Sequence, residues 1–171
     1  MLKAENINAP VVVIDTREKK PLEFPHLQAV SDTMQTGDYG LQGLPDFCVE
    51  RKSIADMVNS LTGERERFWR ELERLRAMQS RGFARLLIIG TARELAALLA
   101  TRNVKISQVM GSLAAIDARF VPVVWASTPE RAAAMVEGWA WYYWTGAAMP
   151  FLGSVKVPEF ARGYMQNVMS Q

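Results

Sequence analysis

The hydrophobic residues in the first third of the chain form short runs that predict β-strands. The β-branched run Val11–Ile14, which ends at Asp15, predicts a strand that is buried on both faces. Residues 28–35 predict a second strand, and Phe47–Arg51 predicts a third. Glycines, a proline and an aspartate fill the stretch 37–45. This turn chemistry predicts that the second and third strands form a hairpin.

From position 53 onward, the apolar residues recur every three or four positions, which is typical of amphipathic helices. Ser53 is a candidate N-cap for a helix through Leu61, and a second helix is predicted over 64–80. Thr128-Pro129-Glu130 has the order of cap, proline and acid that begins a helix, and Gly146 is expected to end it. The remaining predicted elements are a strand over 83–89, helices over 93–100 and 107–118, and a strand over 121–125.

This order of elements predicts an α/β fold with a mixed central β-sheet and helices on both faces, because the strands first cluster and then alternate with helices. A chain of 171 residues is the size of one domain, which we place over 1–146. Residues 147–171 contain two prolines and two glycines and show no clear periodicity. They predict a C-terminal tail that docks on the domain or on a partner.

Composition excludes several classes of site. Hydrophobic residues make up 49% and charged residues 22% of the chain, which excludes a disordered or fibrous protein. The single Cys48 excludes a disulfide framework or a multi-cysteine zinc site and is interpreted as a small buried residue. The single His26 excludes a histidine-rich metal site and is interpreted as a surface polar residue. The net charge of +2 does not by itself indicate a nucleic-acid-binding protein.

The sequence predicts an intracellular, cytoplasmic protein. Its first ten residues lack the apolar segment of a secretory signal. No apolar run approaches the roughly 20 residues of a membrane helix.

An acidic and basic group surrounds the third predicted strand. Alternation along a strand places Glu50 and Lys52 on one face and Arg51 on the other. Asp38 and Glu50 would supply oxygen ligands for Mg2+, and Lys52 would orient or help deprotonate the attacking water and stabilise charge on a phosphate. Asp15, at the end of the first strand, could add a third carboxylate. From these residues alone, a solvated strand end with ordinary ion pairs remains an equal alternative.

Four segments, VVVIDTREKKPLEF, TGDYG, VERKSIADMVNSL and ERFWRELERL, resemble the nuclease domain of the XPF family of structure-specific endonucleases. The signature of that family is G-D, a spacer and E-R-K-x-x-x-D, preceded by a strand that ends in D-x-R-E. The resemblance extends over about 11–145. The residues that match are Asp15, Arg17, Glu18, Gly37, Asp38, Glu50, Arg51, Lys52 and Asp56.

The resemblance implies a restriction-endonuclease-like core that cuts branched or flapped DNA with Mg2+, for which Mn2+ may substitute, in repair, recombination or phage DNA processing. It implies Asp15, Asp38 and Glu50 as metal ligands and Lys52 as the catalytic lysine. A catalytically weak DNA-binding or scaffold module of the same fold is the first alternative, and a nuclease for single strands or RNA is the second. The supporting site residues implied by the resemblance are Arg17, Glu18, Arg51 and Asp56.

The resemblance also implies a homodimer, because members of the family usually dimerise through this domain and a tandem helix-hairpin-helix module. Only 25 residues follow residue 146, too few for that module. A partner protein that binds DNA, or relaxed specificity, is therefore expected. By its size, the chain resembles stand-alone versions from phages or prophages.

Residues 64–85 contain seven arginines and four glutamates. Pairs four residues apart on a helix, Glu66 with Arg70 and Arg67 with Glu71, would neutralise some of them. The surplus predicts contacts with DNA phosphates, with Arg81 and Arg85 expected to be unpaired. The candidate DNA-binding residues are Arg65, Arg67, Arg81 and Arg85.

The end of the last predicted helix, 139–144, is rich in aromatic residues on several sides. Such a helix is expected to be buried, which predicts that it belongs to the core and to a homodimer interface.

Overall fold

A computed structural model describes residues 9–152 and 158–162, with side chains for 9–147 and 158–161. The strands are β1 (Val12–Asp15), β2 (Ala29–Asp32), β3 (Tyr39–Leu41), β4 (Leu44–Ser53), β5 (Phe83–Ile89) and β6 (Val123–Ala126). The helices are α1 (Ile54–Thr62), α2 (Arg65–Arg81), α3 (Ala92–Arg102), α4 (Ile106–Arg119), α5 (Pro129–Leu152) and α6 (Glu159–Arg162). The strands form a single sheet in the order β2-β1-β3-β4-β5-β6.

The sheet is mixed, as predicted. The strands β4, β5 and β6 run parallel, and so do β1 and β2. The short β3 is antiparallel to both of its neighbours, β1 and β4. This arrangement places the ends of β1 and β4, with their charged residues, on either side of β3.

Helices cover both faces of the sheet, which confirms the predicted layers. Leu86 and Ile88 of β5 pack with residues of α1, α2, α3 and α4 in one apolar cluster. Leu87, between them, points to the other face and packs in a second cluster with α5 and α6. The alternation of buried side chains along a strand therefore separates two cores.

The predicted hairpin between the second and third strands is wrong. β2 pairs in parallel with β1, and the hairpin joins β3 to β4. Its turn contains Gly43, whose φ of 77° lies in the left-handed region that glycine favours. β3 has only three residues, too few to show alternation among neighbouring turn residues.

Of two predicted helix ends, the N-cap of α1 is confirmed and the end of α5 is not. The side chain of Ser53 accepts a hydrogen bond from the backbone N–H of Asp56, as its predicted role as N-cap of α1 requires. The expectation that Gly146 ends the last helix is wrong, because α5 continues to Leu152. Glycine commonly ends a helix by adopting a left-handed backbone, and Gly146 does not have the positive φ of that conformation.

The aromatic segment of α5 belongs mainly to the core. Trp139, Trp141 and Trp144 are buried, whereas Tyr142 is 46% exposed. α5 has 24 residues, but none of the described helices is long and apolar enough to cross a membrane.

The described part of the predicted tail packs against the domain. Ala161 in α6 is fully buried in the apolar cluster that contains Leu87 and α5, and the ring of Phe160 stacks on His26. The proposed boundary at residue 146 falls inside α5. Residues 153–157 and 163–171 of the predicted tail lie outside the described residues.

A buried glutamate joins α5 to the loop before β2. The carboxylate of Glu137 accepts hydrogen bonds from the backbone N–H groups of His26, at 2.7 Å, and Leu27, at 3.0 Å. Its other oxygen lies 2.8 Å from Nδ1 of His26. The side chain of His26 is 49% exposed, which agrees with its interpretation as a surface polar residue, and it also binds the buried Glu137.

Candidate active site

Strand β4 presents the predicted charged residues as alternation requires. Glu50 and Lys52 lie beside Leu86 and Ile88 of β5, which pack under α1 to α4. Arg51 lies beside Leu87, which packs under α5. Glu50 and Lys52 therefore share one face of the sheet, and Arg51 occupies the other.

Lys52 is buried among acidic and aromatic side chains. Its Nζ lies 3.3 Å from Oε1 of Glu50 and 2.7 Å from Oε1 of Glu71. The same Nζ lies 5.1 Å from the centre of the Phe68 ring. Burial lowers the pKa of Lys52, but the two carboxylates outweigh burial and raise it. Lys52 therefore carries a positive charge held in a fixed place.

Glu71 is a site residue that the sequence analysis missed. It was predicted to pair with Arg67, but Arg67 pairs with Glu64 at 3.2 Å, and Glu71 points to Lys52. Its Oε1 is at ion-pair distance from Lys52, but it lacks a partner with hydrogen-bond geometry among the described residues. A signal was available, because Glu71 is three residues after Phe68 and so lies on the apolar face of α2.

Asp38 is fixed between β1 and β4 by its own backbone. Its N–H donates to the carbonyl of Val49, and its carbonyl accepts from the N–H of Asp15. Oδ2 of Asp38 accepts a hydrogen bond of 2.7 Å from the backbone N–H of Arg51. Burial raises the pKa of Asp38 to about 6.

Glu50 supplies the second buried carboxylate of the site. Burial and the negative charges of Asp38 and Glu71 raise its pKa well above the usual range of a glutamate. Buried carboxylates with raised pKa values are typical of functional sites.

The residues present fit a divalent cation. Asp38 and Glu50 offer the hard oxygen donors that Mg2+ and Mn2+ prefer, and Oε1 of Glu71 is a buried oxygen without a hydrogen bond in the described part of the chain. Among the described residues there is no group of three or more His, Cys, Asp or Glu that could hold a metal ion. A site with two carboxylates still suits Mg2+, which commonly completes its coordination with water and substrate phosphate.

Asp15, the expected third ligand, is not brought together with that pair. Oδ1 of Asp15 accepts hydrogen bonds from the backbone and Nε of Arg17, at 2.8 and 2.7 Å. Oδ2 accepts from Nη2 of Arg17, at 3.0 Å, and from the backbone of Met34, at 2.7 Å. The hydrogen bond from Arg17 lowers the pKa of Asp15 to about 2. In this structure, Asp15 therefore anchors Arg17 and the loop before β3.

The other supporting residues surround the pair. Arg51 makes two parallel hydrogen bonds of 3.0 Å with Glu18, which holds the loop after β1 against β4. Asp56 accepts a 2.6 Å hydrogen bond from Ser53 and lines a cavity of about 270 Å3 next to Lys52. Arg51 thus holds the site together through an ion pair with Glu18.

Two of the proposed DNA-binding arginines were expected to be unpaired, and that expectation is wrong. Arg81 lies 3.3 Å from the carboxylate of Asp46. Arg85 donates to Gln79 and to a backbone carbonyl, and its guanidinium lies over the ring of Phe83. The partner of Arg81 is distant in sequence, whereas those of Arg85 lie within six residues of it.

Cys48 shares the strand face of Glu50 but is fully buried. Burial raises the pKa of its thiol far above the usual value, so the sulfur stays protonated and unreactive. The interpretation of Cys48 as a small core residue is confirmed.

Replacing Gly37 by alanine is expected to destabilise the protein by about 2 kcal/mol and to reduce activity. Gly37 has a φ of 82°, and a Cβ there would lie 3.1 Å from the carbonyl oxygen of Val49 and 2.3 Å from the sulfur of Cys48. The chain would have to shift next to Asp38. Urea unfolding measures the effect, with Gly146→Ala as the control because a Cβ there meets nothing within 4 Å. Equal stability of the two variants would contradict the prediction.

Comparisons with known proteins support this description. XPF from Aeropyrum pernix in complex with DNA matches with a TM-score of 0.60 and 22% identity, over 85% of this chain and 68% of that one. A second structure of XPF from Aeropyrum pernix matches with a TM-score of 0.58 and 20% identity, over 77% and 63% of the two chains. These matches confirm the restriction-endonuclease-like fold. The chain spans about two thirds of the length of these relatives.

Curated proteins give no significant match. The sequence profile of the ERCC4 domain, in contrast, matches residues 14–138. This range contains the charged residues of β4, the carboxylates around them and most of both cores. Nucleases with this domain act on DNA and generally depend on a divalent metal. The chain belongs to the ERCC4 domain family, the family of the XPF-type nucleases.

Proposed function

We propose that this protein is a Mg2+-dependent endonuclease that hydrolyses phosphodiester bonds in branched or flapped DNA. One observation carries the proposal: the buried carboxylates of Asp38, just before β3, and Glu50, on β4, lie beside the charged amine of Lys52. Membership of the ERCC4 family and the DNA bound by the XPF homologue support it.

The charges of the site residues suggest a role for each of them. Asp38 and Glu50 would hold the cation, which when bound stabilises negative charge on the phosphate and lowers the pKa of water. Lys52, kept protonated by Glu50 and Glu71, would orient the attacking water and stabilise charge that develops on the phosphate oxygens. Arg17, 67% exposed and held by Asp15, would contact the DNA backbone near the reacting phosphate.

Mn2+ would replace Mg2+, because both prefer oxygen ligands. Asp15 stays a candidate ligand only if a bound ion displaces its hydrogen bonds with Arg17. A homodimer would use the exposed Tyr142 of α5, and a separate DNA-binding protein would direct the enzyme to branched DNA. The setting would be repair, recombination or phage DNA processing inside a bacterial or phage-infected cell.

A panel of labelled DNA substrates tests the proposed function. The panel contains a flap, a fork, a four-way junction, a duplex and a single strand, each incubated with Mg2+ or Mn2+ and with chelator. Asp38→Asn is the inactive variant, and Asp46→Asn, which alters an aspartate paired with Arg81, is the control. We expect cutting of branched substrates by the wild type and the control only. Binding of DNA without cutting under all conditions would favour the scaffold alternative, and equal cutting of the single strand would overturn the proposed substrate.

The rate of cleavage is expected to fall as the pH is lowered through about 6. Burial raises the pKa of Asp38 to about 6 and also raises that of Glu50 above the usual range of a glutamate, so a falling pH protonates the carboxylates that would hold the cation. A higher Mg2+ concentration competes with protons and should restore the rate. Rates measured against pH at two metal concentrations check this. A profile that is flat, or insensitive to metal, would contradict it.

A further inference from the structure

A second groove, of about 490 Å3, lies between α2 and α4 next to the active-site cavity. It shares Ser60 and Phe68 with that cavity, so the two are continuous along α1 and α2. Phe68 is also the ring that contacts Lys52. A ligand in this groove would therefore reach the vicinity of the proposed catalytic lysine.

The groove has an exposed aromatic surface. Trp69 is 45% exposed, and its ring stacks on Phe120, with 4.9 Å between ring centres and 27° between ring planes. An indole held in place by a second ring is a platform on which another flat ring can stack. Its position three residues before Leu72 of the apolar face explains why α2 presents it at the edge of the core.

Positive charge flanks this aromatic surface. Arg65 and Arg119 both line the groove. Neither forms an ion pair within the described chain, whereas Arg67 and Arg76 on the same helix α2 pair with glutamates. Two guanidinium groups without carboxylate partners beside an exposed indole are complementary to a base joined to phosphates.

We propose that the groove between α2 and α4 binds the unpaired strand of the DNA substrate, with one base stacked on Trp69 and the flanking phosphates contacted by Arg65 and Arg119. This inference rests on the proposed function. It also predicts how the DNA is oriented on the protein, because the single strand would leave the duplex on the side where α2 lies. A paired base has no free face for Trp69, and the groove is too small for a duplex.

Binding measured without cleavage tests the groove separately from catalysis. In chelator, the fluorescence anisotropy of a labelled blunt duplex is compared with that of the same duplex bearing an oligothymidine arm. We expect Trp69→Ala to weaken binding of the arm substrate roughly 5- to 100-fold and Trp69→Phe to retain most of it. Arg119→Ala should weaken it and reduce the dependence of log K on log salt by about 0.7. Affinity for the blunt duplex should change much less.

Matched controls distinguish the groove from general effects. Val30→Ala removes an exposed apolar side chain of the edge strand β2, and Arg93→Ala removes an exposed arginine of α3. Both should bind the arm substrate as the wild type does. An arm containing 5-iododeoxyuridine should photocrosslink to the peptide that contains Trp69. Thermal unfolding of each variant confirms that it is folded, and Arg119→Ala keeps the test valid if Trp69→Ala unfolds.

Several results would overturn the inference. One is unchanged arm binding by both Trp69→Ala and Arg119→Ala, and another is wild-type affinity that is no greater for the arm substrate than for the duplex. A dimer that Trp69→Ala converts to monomers, with arm binding unchanged, would assign the groove to a protein interface instead. If the wild type binds the arm through Trp69 but cuts no DNA with any metal, the groove stands and the proposed nuclease function falls. If Trp69→Ala cuts DNA and binds arm substrates as the wild type does, the proposed nuclease function stands and the assignment of the groove falls.

Discussion

Replacing Lys52 by methionine is expected to lower the rate of DNA cleavage by about a hundred- to a thousandfold. Methionine fills the space of the lysine stem, but it removes the positive charge that Glu50 and Glu71 hold beside the carboxylate pair. That charge is useful only where negative charge develops on the phosphate, so the loss should appear in the rate of cleavage rather than in DNA affinity. Single-turnover cleavage, measured beside DNA binding, separates the two.

A matched control and a rescue variant make this prediction specific. Lys19→Met removes an exposed lysine from the loop after β1 and should leave the rate unchanged. Lys52→Met also leaves two buried carboxylates facing each other, which should destabilise the folded protein. Adding Glu71→Gln to Lys52→Met should recover stability but not activity. Cleavage at the wild-type rate by Lys52→Met would remove Lys52 from the proposed mechanism.

Replacing Glu137 by alanine is expected to destabilise the fold by about 3 kcal/mol. The carboxylate is fully buried, and its loss would leave the backbone N–H groups of His26 and Leu27 without their partner. It would also open a cavity between α5 and the loop before β2. Urea unfolding measures the change, and Glu137→Gln should cost less because its amide oxygen still accepts these hydrogen bonds.

Glu130→Ala is the control for this prediction. Glu130 is an exposed acid in the first turn of the same helix, and its replacement should cost less than about 1 kcal/mol. A Glu137→Ala variant that is as stable as Glu130→Ala would show that the network around Glu137 does not hold α5 to the loop.

Much of the fold could be predicted because its longer elements have clear apolar patterns. The strand predicted over 83–89 is β5 (Phe83–Ile89), since a run of consecutive apolar residues is buried on both faces of a sheet. Ser53 capped α1 as predicted, because a cap depends on contacts within four residues. The short β3 could not be predicted, because its pairing with β1 and β4 depends on chain segments outside it.

In the candidate site, too, the features that depend on one element could be predicted, and those that depend on contacts between elements could not. The opposite faces of Glu50 and Arg51 follow from the two-residue period of a strand, which is a local property. The role of Glu71 depends on how α2 packs on β4, and a glutamate among arginines on a helix looks like half of a surface pair. Glu137 forms a hydrogen bond with His26, 111 residues away in sequence, and Arg81 forms one with Asp46, 35 residues away. No periodicity within one element encodes such contacts.

The dependence of DNA cleavage on divalent metal, compared between wild type and Asp38→Asn, tests the central claim most directly. The rate on the best-cut substrate is measured while Mg2+ or Mn2+ is titrated into protein first treated with chelator. We predict no cleavage in chelator, a rate that rises and saturates with metal for the wild type, and no metal-dependent rate for Asp38→Asn. Unfolding curves must show that Asp38→Asn is folded, which its retained amide acceptor for the N–H of Arg51 favours. Cleavage in chelator, or an undiminished rate in Asp38→Asn, would contradict a site in which Asp38 and Glu50 hold the cation for hydrolysis.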